Sequence, residues 1–526
     1  MQKIWITAAL VFTQAAAWGQ EPSASPSPND VEALRQQVQA LTETVKSLQQ
    51  QLQAQQETLS KMNAGPTALP AGESPSPAPE PEASAPPLFP TTDESVVAST
   101  AQPSPIPTKS ALPDAAVNEP FPTTDTSVVS PAEAVSTTGA GASLTNPMAI
   151  AGGGKTYMNI SFDGQFALAY SSDTDLSQLE VGDHDPQQRG FNARNIELAL
   201  DGAVDPYFEG FANIVFKLTN DNETETEVEE AFMQTTSLPW GLQVKGGQFF
   251  AAFGRINPMH PHTWDFVDDP LVNGRFLGSD GLRGVGAQVS WAVPVSWYSQ
   301  LILGVQNGRG NTGFSFRNPG DDGIFYNRVT TDREARGVQD FVYIPRWENS
   351  IDLSPTQTVL AGVSGAFGSN ETGAESQTQI YGADLLYKWK SPRAEGGFPF
   401  VKWQSEAMYR RYEAGRGADQ SFPVAEIFHD WGMYSQVVWG FKKGFTAGVR
   451  GDYLQMQNSA YTDDYLRQSR SRVAAELTWY PTEFSKLRLQ YNHDFLQADD
   501  FFSARQADSV FFQFEFMLGA HGAHKF

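Results

Sequence analysis

From residue 155 to the C-terminus, apolar and polar side chains alternate at every second position. Near the start of this region Met158, Ile160 and Phe162 fall on one face, and Asn159 falls on the other. Successive side chains of a β-strand point to opposite faces, so this period predicts strands with one apolar and one polar face. The alternation recurs through the rest of the chain.

Turn residues divide this region into about sixteen predicted strands. They lie near residues 157–170, 190–204, 207–219, 227–236, 240–250, 283–293, 298–307, 339–352, 356–366, 376–390, 400–413, 431–441, 445–456, 470–480, 485–496 and 508–526. The connections alternate between long and short ones; the long ones begin at Ser171, Asn220, Ala251, Gly308, Gly368, Ala414, Gln457 and Gln497. An even strand number with long loops at one end is typical of outer-membrane barrels. The predicted fold of residues 155–526 is therefore all-β, a sixteen-stranded antiparallel transmembrane β-barrel.

Aromatic residues support a membrane location. The last segment alternates up to Leu518 and the chain ends at Phe526, which resembles the closing strand of a bacterial outer-membrane barrel. Tryptophans near predicted strand ends are placed where an aromatic girdle would lie. They are Trp291, Trp297, Trp389, Trp403, Trp439 and Trp479. The predicted location is the bacterial outer membrane, with lipid and lipopolysaccharide as partners.

The N-terminus has the pattern of a secretory signal peptide over residues 1–19. Lys3 precedes an apolar run at 4–12, and Ala17 and Gly19 form a cleavage pattern. This run is shorter than the ~20 residues that a membrane helix needs, and no later stretch reaches that length. A closed barrel is the other structure that satisfies its backbone hydrogen bonds in lipid.

Residues 31–62 carry a heptad repeat, which predicts a periplasmic α-helical coiled coil. Its apolar positions are Val31, Leu34, Val38, Leu41, Val45, Leu48, Leu52, Leu59 and Met62, with Gln55 interrupting them. The residue types at these apolar positions favour a two-stranded coiled coil. The alternative is a single amphipathic helix lying on the barrel. Peptidoglycan or another periplasmic component is the expected partner of the coiled coil.

Residues 63–154 are rich in Pro, Ala, Ser and Thr, a composition that predicts a disordered linker. The sequence FPTTDESVV at 89–97 recurs as FPTTDTSVV at 121–129. We weigh two interpretations of this repeat: a pair of docking peptides for a periplasmic partner, or a duplicated spacer.

Four motifs of the barrel region resemble the porin O/P family, the phosphate-selective porins. They are EEAF at 229–232, LQVKGGQF at 242–249, FGR at 253–255 and SKLRLQY at 485–491. The resemblance implies a sixteen-stranded homotrimeric channel for small solutes. It leaves the solute open.

Strand parity assigns charged residues to the polar, lumen-facing side. The basic candidates are Lys217, Lys245, Lys388, Lys402, Arg410, Arg450, Arg472, Lys486 and Arg488. The acidic candidates are Asp163, Glu197, Asp201, Asp384, Glu406, Asp452, Glu476 and Glu515. The two sets nearly cancel, so strong anion selectivity is not predicted. We weigh two arrangements: a basic wall facing an acidic wall, or charges that pair locally.

The third long connection, 251–282, is the predicted constriction loop. Its candidate residues are His260, His262, Trp264, Asp265, Asp268 and Asp269. Two histidines beside carboxylates are potential ligands of a divalent metal such as Zn²⁺, and His521 and His524 add a second pair. The alternative is that the loop only narrows the pore. Acidic residues from Glu223 to Glu230 are expected in the second long connection, either solvated or binding Ca²⁺.

These patterns favour a porin that passes small hydrophilic solutes or ions by passive diffusion, with anions such as phosphate among the candidates. No G-x-S-x-G motif or nucleophile constellation indicates an enzyme, and no cofactor is expected. The absence of cysteine excludes C-x-x-C chemistry, and the net charge of −24 argues against a nucleic-acid partner. The alternatives are an envelope tether with a barrel anchor and a metal-related outer-membrane uptake protein.

Overall fold

The computed structural model describes residues 148–153, 156–203, 205–219, 223–320, 323–331, 335–422, 424–459, 464–499 and 502–519. The predicted signal peptide, the coiled coil and both copies of the repeat lie outside these residues, as do His521, His524 and Phe526. Of the predicted linker, residues 148–153 are described, and they form a strand. The prediction that the linker continues to residue 154 is wrong at this end.

Nineteen strands and one α-helix are present in the described residues. The strands are β1 Met148–Gly153, β2 Thr156–Ser171, β3 Gly190–Ala203, β4 Phe208–Leu218, β5 Thr224–Thr235, β6 Leu242–Phe250, β7 Arg283–Ala292, β8 Tyr298–Gln306, β9 Ile324–Phe325, β10 Arg328–Val329, β11 Val342–Ser354, β12 Gln357–Ser369, β13 Gln377–Glu395, β14 Phe398–Ala414, β15 Glu426–Lys442, β16 Phe445–Gln455, β17 Arg470–Thr482, β18 Ser485–Leu496 and β19 Arg505–Leu518. Helix α1 is Leu271–Leu277, and short 3-10 turns lie at Leu176–Leu179, Pro239–Gly241, Pro261–Thr263, Asn311–Gly313, Val338–Asp340 and Tyr465–Arg467.

Sixteen of these strands, β2–β8 and β11–β19, form one closed antiparallel barrel. Neighbours in sequence pair with each other, β8 pairs with β11, and β19 returns to β2 with Ser509 opposite Ser171. The short strand β1 also pairs with β2, next to the end of β19. A closed sheet leaves no unpaired edge. The predicted sixteen-stranded barrel is confirmed.

The barrel has a polar interior and an apolar exterior, the reverse of a soluble protein. On β2, Asn159, Ser161 and Asp163 are buried, whereas Met158 and Leu168 are 42% and 45% exposed. The same alternation follows the other strands. An apolar outer band around a polar interior is the arrangement of a barrel surrounded by lipid.

Long and short connections occupy opposite ends of the barrel. The long ones are residues 172–189, 219–223, 251–282, 307–341, 370–376, 415–425, 456–469 and 497–504. The connection 219–223 is shorter than predicted, because β5 begins at Thr224. The expectation of an acidic loop there is wrong: Glu225, Glu227, Glu229 and Glu230 lie on β5.

The six predicted girdle tryptophans lie toward the short-connection end of the barrel. Each is in a short connection or in the half of its strand next to one. Trp297 and Trp439, for example, are 46% and 54% exposed on the outer surface. Indole rings favour a membrane interface, so this row marks one edge of the lipid-facing band.

The interior of the barrel is occupied by the connection 251–282, which folds inward. Its apolar residues, including Val272 and Phe276 on α1, pack against inward-facing Met408, Tyr434 and Leu454 of the wall. Burying one such side chain contributes roughly 1.5–3 kcal/mol, which fixes the loop inside the barrel.

None of the helices in the described residues is long and apolar enough to cross a bilayer.

Candidate functional site

The predicted lumen residues lie on the inner face of the strands. Of the nine basic candidates, eight have buried or half-buried side chains, and Lys388 is exposed in the half of β13 next to a short connection. The acidic candidates are buried, except for Asp201, which is half-buried. The inner wall is therefore densely charged with both signs.

Most of these charges pair with a close neighbour. Asp430, which the sequence analysis missed, lies 2.8 Å from both Arg410 and Arg467. On β18 and β19, Lys486 pairs with Glu515 at 2.8 Å. Local pairing, and not a basic wall facing an acidic wall, is the arrangement of the described residues.

The remaining candidates have other partners. Arg488 donates to Thr478 and to the Trp264 carbonyl, Glu476 accepts from Thr478, and Asp201 accepts from Asn159. Asp384 pairs with Arg346 at 2.7 Å, and Arg346 also contacts Glu348. The ammonium of Lys245 lies over the Phe232 ring, 4.2 Å from its centroid. Lys217 binds Asp183 and Glu227.

The constriction loop is held to the wall by charged hydrogen bonds. Asp268 lies 2.7 Å from Arg472 and 3.0 Å from Arg450, and Asp265 lies 2.6 Å from Lys402. The Glu406 carboxylate on β14 accepts hydrogen bonds from the backbone N–H groups of Arg255 and Ile256. Gly254, which precedes them, has a φ of 62°, and this conformation turns the two N–H groups toward the wall. Hydrogen bonds to ionised groups are the stronger class, so the loop has a defined position.

Two other loop candidates contribute to its shape. The Trp264 indole N–H donates to the Met259 carbonyl within the loop. Asp269 is buried and accepts from Asn273 of α1. Burial, followed by the nearby charge of Asp185, raises the pKa of Asp269 well above its ordinary value.

A narrow space remains between the constriction loop and strands β14–β16. This space is too narrow to hold a water molecule. Its polar lining consists of Asp265, Asp268, Gln404, Gln436 and Arg450. Acidic, basic and amide groups therefore meet at this level of the lumen.

The first long connection, 172–189, also folds inward, which the sequence analysis did not predict. Glu180 contacts Arg275 and Arg470, and His184 lies 3.0 Å from Asp280. Burial by itself would raise the pKa of Glu180, but the two guanidinium groups outweigh it and the pKa is lowered. The only sequence signal was the charged run ending at Asp185, which is equally typical of a solvated loop.

Both histidines of the constriction loop are buried beside carboxylates. His260 lies 2.8 Å from Glu229 and 3.0 Å from Glu230, and His262 lies 3.2 Å from Glu197. Burial would lower the pKa of His260, but Glu229 and the other carboxylates outweigh it and raise the pKa well above its ordinary value.

Three clusters in the described residues combine histidine and carboxylate atoms within 4.8 Å of one another. They are Asp163, Glu197 and His262; Glu197, Glu229 and His260; and Asp183, His184 and Asp280. The metal ligands predicted at His260 and His262 thus each have two carboxylates nearby.

These features define the class of the protein: a sixteen-stranded β-barrel with a lipid-facing exterior and an inward-folded constriction loop. No family model matches the chain. An "Uncharacterized protein" of Aquifex aeolicus (strain VF5) is 32% identical over 396 residues, which cover 70% of this chain and 79% of that protein. The chain belongs to the family of this Aquifex aeolicus protein.

Several solved barrels have a similar fold. The outer membrane channel DcaP of Acinetobacter baumannii has a TM-score of 0.45 at 13% identity, covering 69% of this chain and 97% of that one. An anion-selective porin from Comamonas acidovorans has a TM-score of 0.44 at 8% sequence identity, and the match covers 69% of this chain and 100% of that one. OmpF of Salmonella typhi in complex with daunomycin has a TM-score of 0.42 at 9% sequence identity, and the match covers 69% of this chain and 98% of that one. The porin O/P assignment stays a prediction.

Proposed function

We propose that this protein is a passive channel for small hydrophilic solutes in the bacterial outer membrane. The observation that carries the proposal is the closed barrel with an apolar exterior and a charged interior. A sixteen-stranded barrel is wide enough to hold an aqueous lumen. The inward loop then sets the size limit, and the tight packing beside it predicts a small conductance.

The proposed channel discriminates weakly between anions and cations. Selection of a phosphate dianion needs basic groups that are available to replace its hydration shell. In the described residues, Arg410, Arg450, Arg472 and Lys486 each lie within hydrogen-bond distance of a carboxylate. Paired charges of opposite sign give small net attraction for either kind of ion, so phosphate is one permeant solute among others.

Planar-bilayer recordings with the purified full chain test this function. We expect discrete open steps and a reversal potential near zero in asymmetric KCl. Lys402→Gln removes the half-buried partner of Asp265 beside the narrow space, and we expect it to shift the reversal potential toward cation preference. Arg336→Gln, a loop variant with a 46% exposed side chain, is the control for charge change and should leave the potential unchanged.

Silence of the wild type would contradict the channel and favour the envelope tether with a barrel anchor. Strong anion selectivity would contradict the weak discrimination but not the channel itself. Currents carried only in the presence of a divalent metal would favour the metal-uptake alternative.

We propose in addition that the channel is a homotrimer, as the porin O/P resemblance implies, with residues 31–62 in the periplasm. Chemical cross-linking in detergent is expected to give a trimeric species. A dimeric species would instead agree with the two-stranded coiled coil that the apolar heptad residues favour. Loss of sedimentation with peptidoglycan after deletion of residues 31–62 is the expected result for the coiled coil. Unchanged sedimentation would remove that partner.

A further inference from the structure

Two acidic residues face each other inside the barrel wall. Asp163 on β2 is directly opposite Glu197 on β3 in the strand ladder, and both side chains are fully buried. Like charges at directly opposite positions destabilise a sheet, and a buried charge is costly unless a cation compensates it. Glu197 lies 3.2 Å from His262 and 3.7 Å from His260, so Asp163 is the member of this pair that lacks a hydrogen-bonded partner in the part of the chain that the structure describes.

The carboxylate of Asp163 has no hydrogen-bond partner for either oxygen among the described residues. The nearby Lys486 does not supply one: its ammonium donates to the His262 carbonyl and pairs with Glu515. A buried polar atom left without a partner costs about 1–3 kcal/mol, and a charged one costs more. The Asp163 carboxylate is therefore available to coordinate a metal ion.

His262 of the constriction loop completes a metal-binding geometry with these two residues. The ligand atoms of Asp163, Glu197 and His262 all lie within 4.8 Å of one another. Ligands about 2.1 Å from a tetrahedral zinc ion are roughly 3.4 Å apart, so small side-chain movements close the shell. Glu197 is oriented by Asn195 at 2.6 Å and Asn213 at 3.1 Å, as outer-shell partners orient metal ligands.

We propose that Asp163, Glu197 and His262 bind one divalent transition-metal ion of the Zn²⁺ class, which ties the constriction loop to β2 and β3. The two carboxylates neutralise the ion, and the imidazole favours Zn²⁺ over Ca²⁺ or Mg²⁺. His260 is not a ligand, because its two ring nitrogens already face Glu229 and Glu230 at 2.8 and 3.0 Å. The site goes beyond the proposed channel function and does not depend on it.

Metal content of the full chain in detergent tests the proposal. The protein is purified without a histidine tag and with His521→Ala and His524→Ala, which removes the other predicted histidine pair. After chelation and reloading with zinc, we expect one ion per chain. Asp163→Asn and His262→Gln are each expected to weaken zinc binding by more than about tenfold, the loss that even outer-shell changes produce.

Asp201→Asn is the matched control. It makes the same charge change on β3, but Asp201 contacts Asn159 and belongs to none of the three clusters. We expect wild-type zinc binding for this variant. Folding of every variant is checked by heat-modifiable migration on a gel, and if Asp163→Asn does not fold, His262→Gln decides.

Thermal stability gives a second readout. Chelation is expected to lower the melting temperature of the wild type and of Asp201→Asn, and to leave Asp163→Asn unchanged. Absence of stoichiometric zinc in the reloaded wild type, or zinc binding by Asp163→Asn at wild-type affinity, would overturn the site. A conducting channel without zinc contradicts this inference alone, and a zinc-binding protein without conductance contradicts the channel alone.

Discussion

At the scale of single residues, Asp268 is the main anchor of the constriction loop. Its carboxylate meets Arg450 on β16 and Arg472 on β17, and it accepts from Gln490 and Asn492 on β18. One side chain therefore joins the loop to three consecutive strands. Such a buried network stabilises only while each member keeps its partners.

Asp268→Asn is expected to destabilise the folded barrel by about 3–5 kcal/mol, the cost of breaking a buried ion pair by removing one partner. The free energy of unfolding in denaturant, followed by gel mobility, measures this change. Asp419→Asn is the control, since Asp419 lies in an exposed loop. Equal stabilities of the two variants would contradict the anchor.

Acidification tests the same residue. Burial would raise the pKa of Asp268, but Arg450 and Arg472 outweigh it and lower the pKa below its ordinary value, although Asp185 and Asp452 also face it. A carboxyl with a lowered pKa contributes stability above its ordinary pKa of about 3.9 and loses it as the pH falls through the folded-state value. The melting temperature is expected to decrease below about pH 4, with a smaller decrease in Asp268→Asn. An identical pH dependence of both proteins would exclude this role.

At the scale of elements, the inward position of the loop 251–282 comes from its apolar residues. Val272 and Phe276 of α1 are fully buried against the inner wall, where most neighbouring side chains are polar. The apolar patch of the wall around Tyr434 is thus the docking site of the loop. The strands beneath the loop pair without it, since Phe250 of β6 is opposite Arg283 of β7.

Replacement of residues 258–275 by a short Gly/Ser linker is expected to leave the barrel folded and to raise the single-channel conductance severalfold, because it removes the part of the loop that fills the lumen. The control replaces the exposed residues 418–421 with glycine and should keep the wild-type conductance. Wild-type conductance of the loop variant would show that the constriction lies elsewhere.

At the scale of the whole molecule, the outer surface distinguishes a membrane barrel from a soluble one. Val449 on β16 is 59% exposed and lies between outward-facing Val437 and Ala475 of the adjacent strands. In water such a position tolerates a charge, whereas in lipid it does not.

Val449→Arg is expected to destabilise the barrel by about 2–4 kcal/mol in a lipid bilayer, the cost of an arginine near the midplane. Ala418→Arg, on an exposed loop, should change the free energy of folding by less than about 0.5 kcal/mol. Folding titrations in liposomes measure both. An unchanged free energy of folding for Val449→Arg would show that this surface faces water.

The sequence alone was sufficient for the sixteen strands and for the inward parity of residues such as Arg410 and Asp163. It also gave the strand boundaries to within about five residues, except at the end of the last strand, which was predicted at 526 and is observed at Leu518. These properties are local. A side chain that faces lipid must be apolar, whereas its neighbours along the strand face the lumen and can be polar, so the alternation at every second residue can be read directly from the sequence. Turn residues mark where each strand ends. The acidic residues at the start of β5 were assigned to a loop because the alternation of Thr and Glu at 224–227 has no apolar face.

The tertiary structure alone decided which charges meet. Asp268 and Arg472 are 204 residues apart, and Asp163 meets Glu197 only through the register of β2 and β3. The inward fold of residues 172–189 and the position of His262 beside that pair depend on barrel closure and on how loops pack inside it. Such contacts join distant parts of the chain, and no periodicity within one segment encodes them.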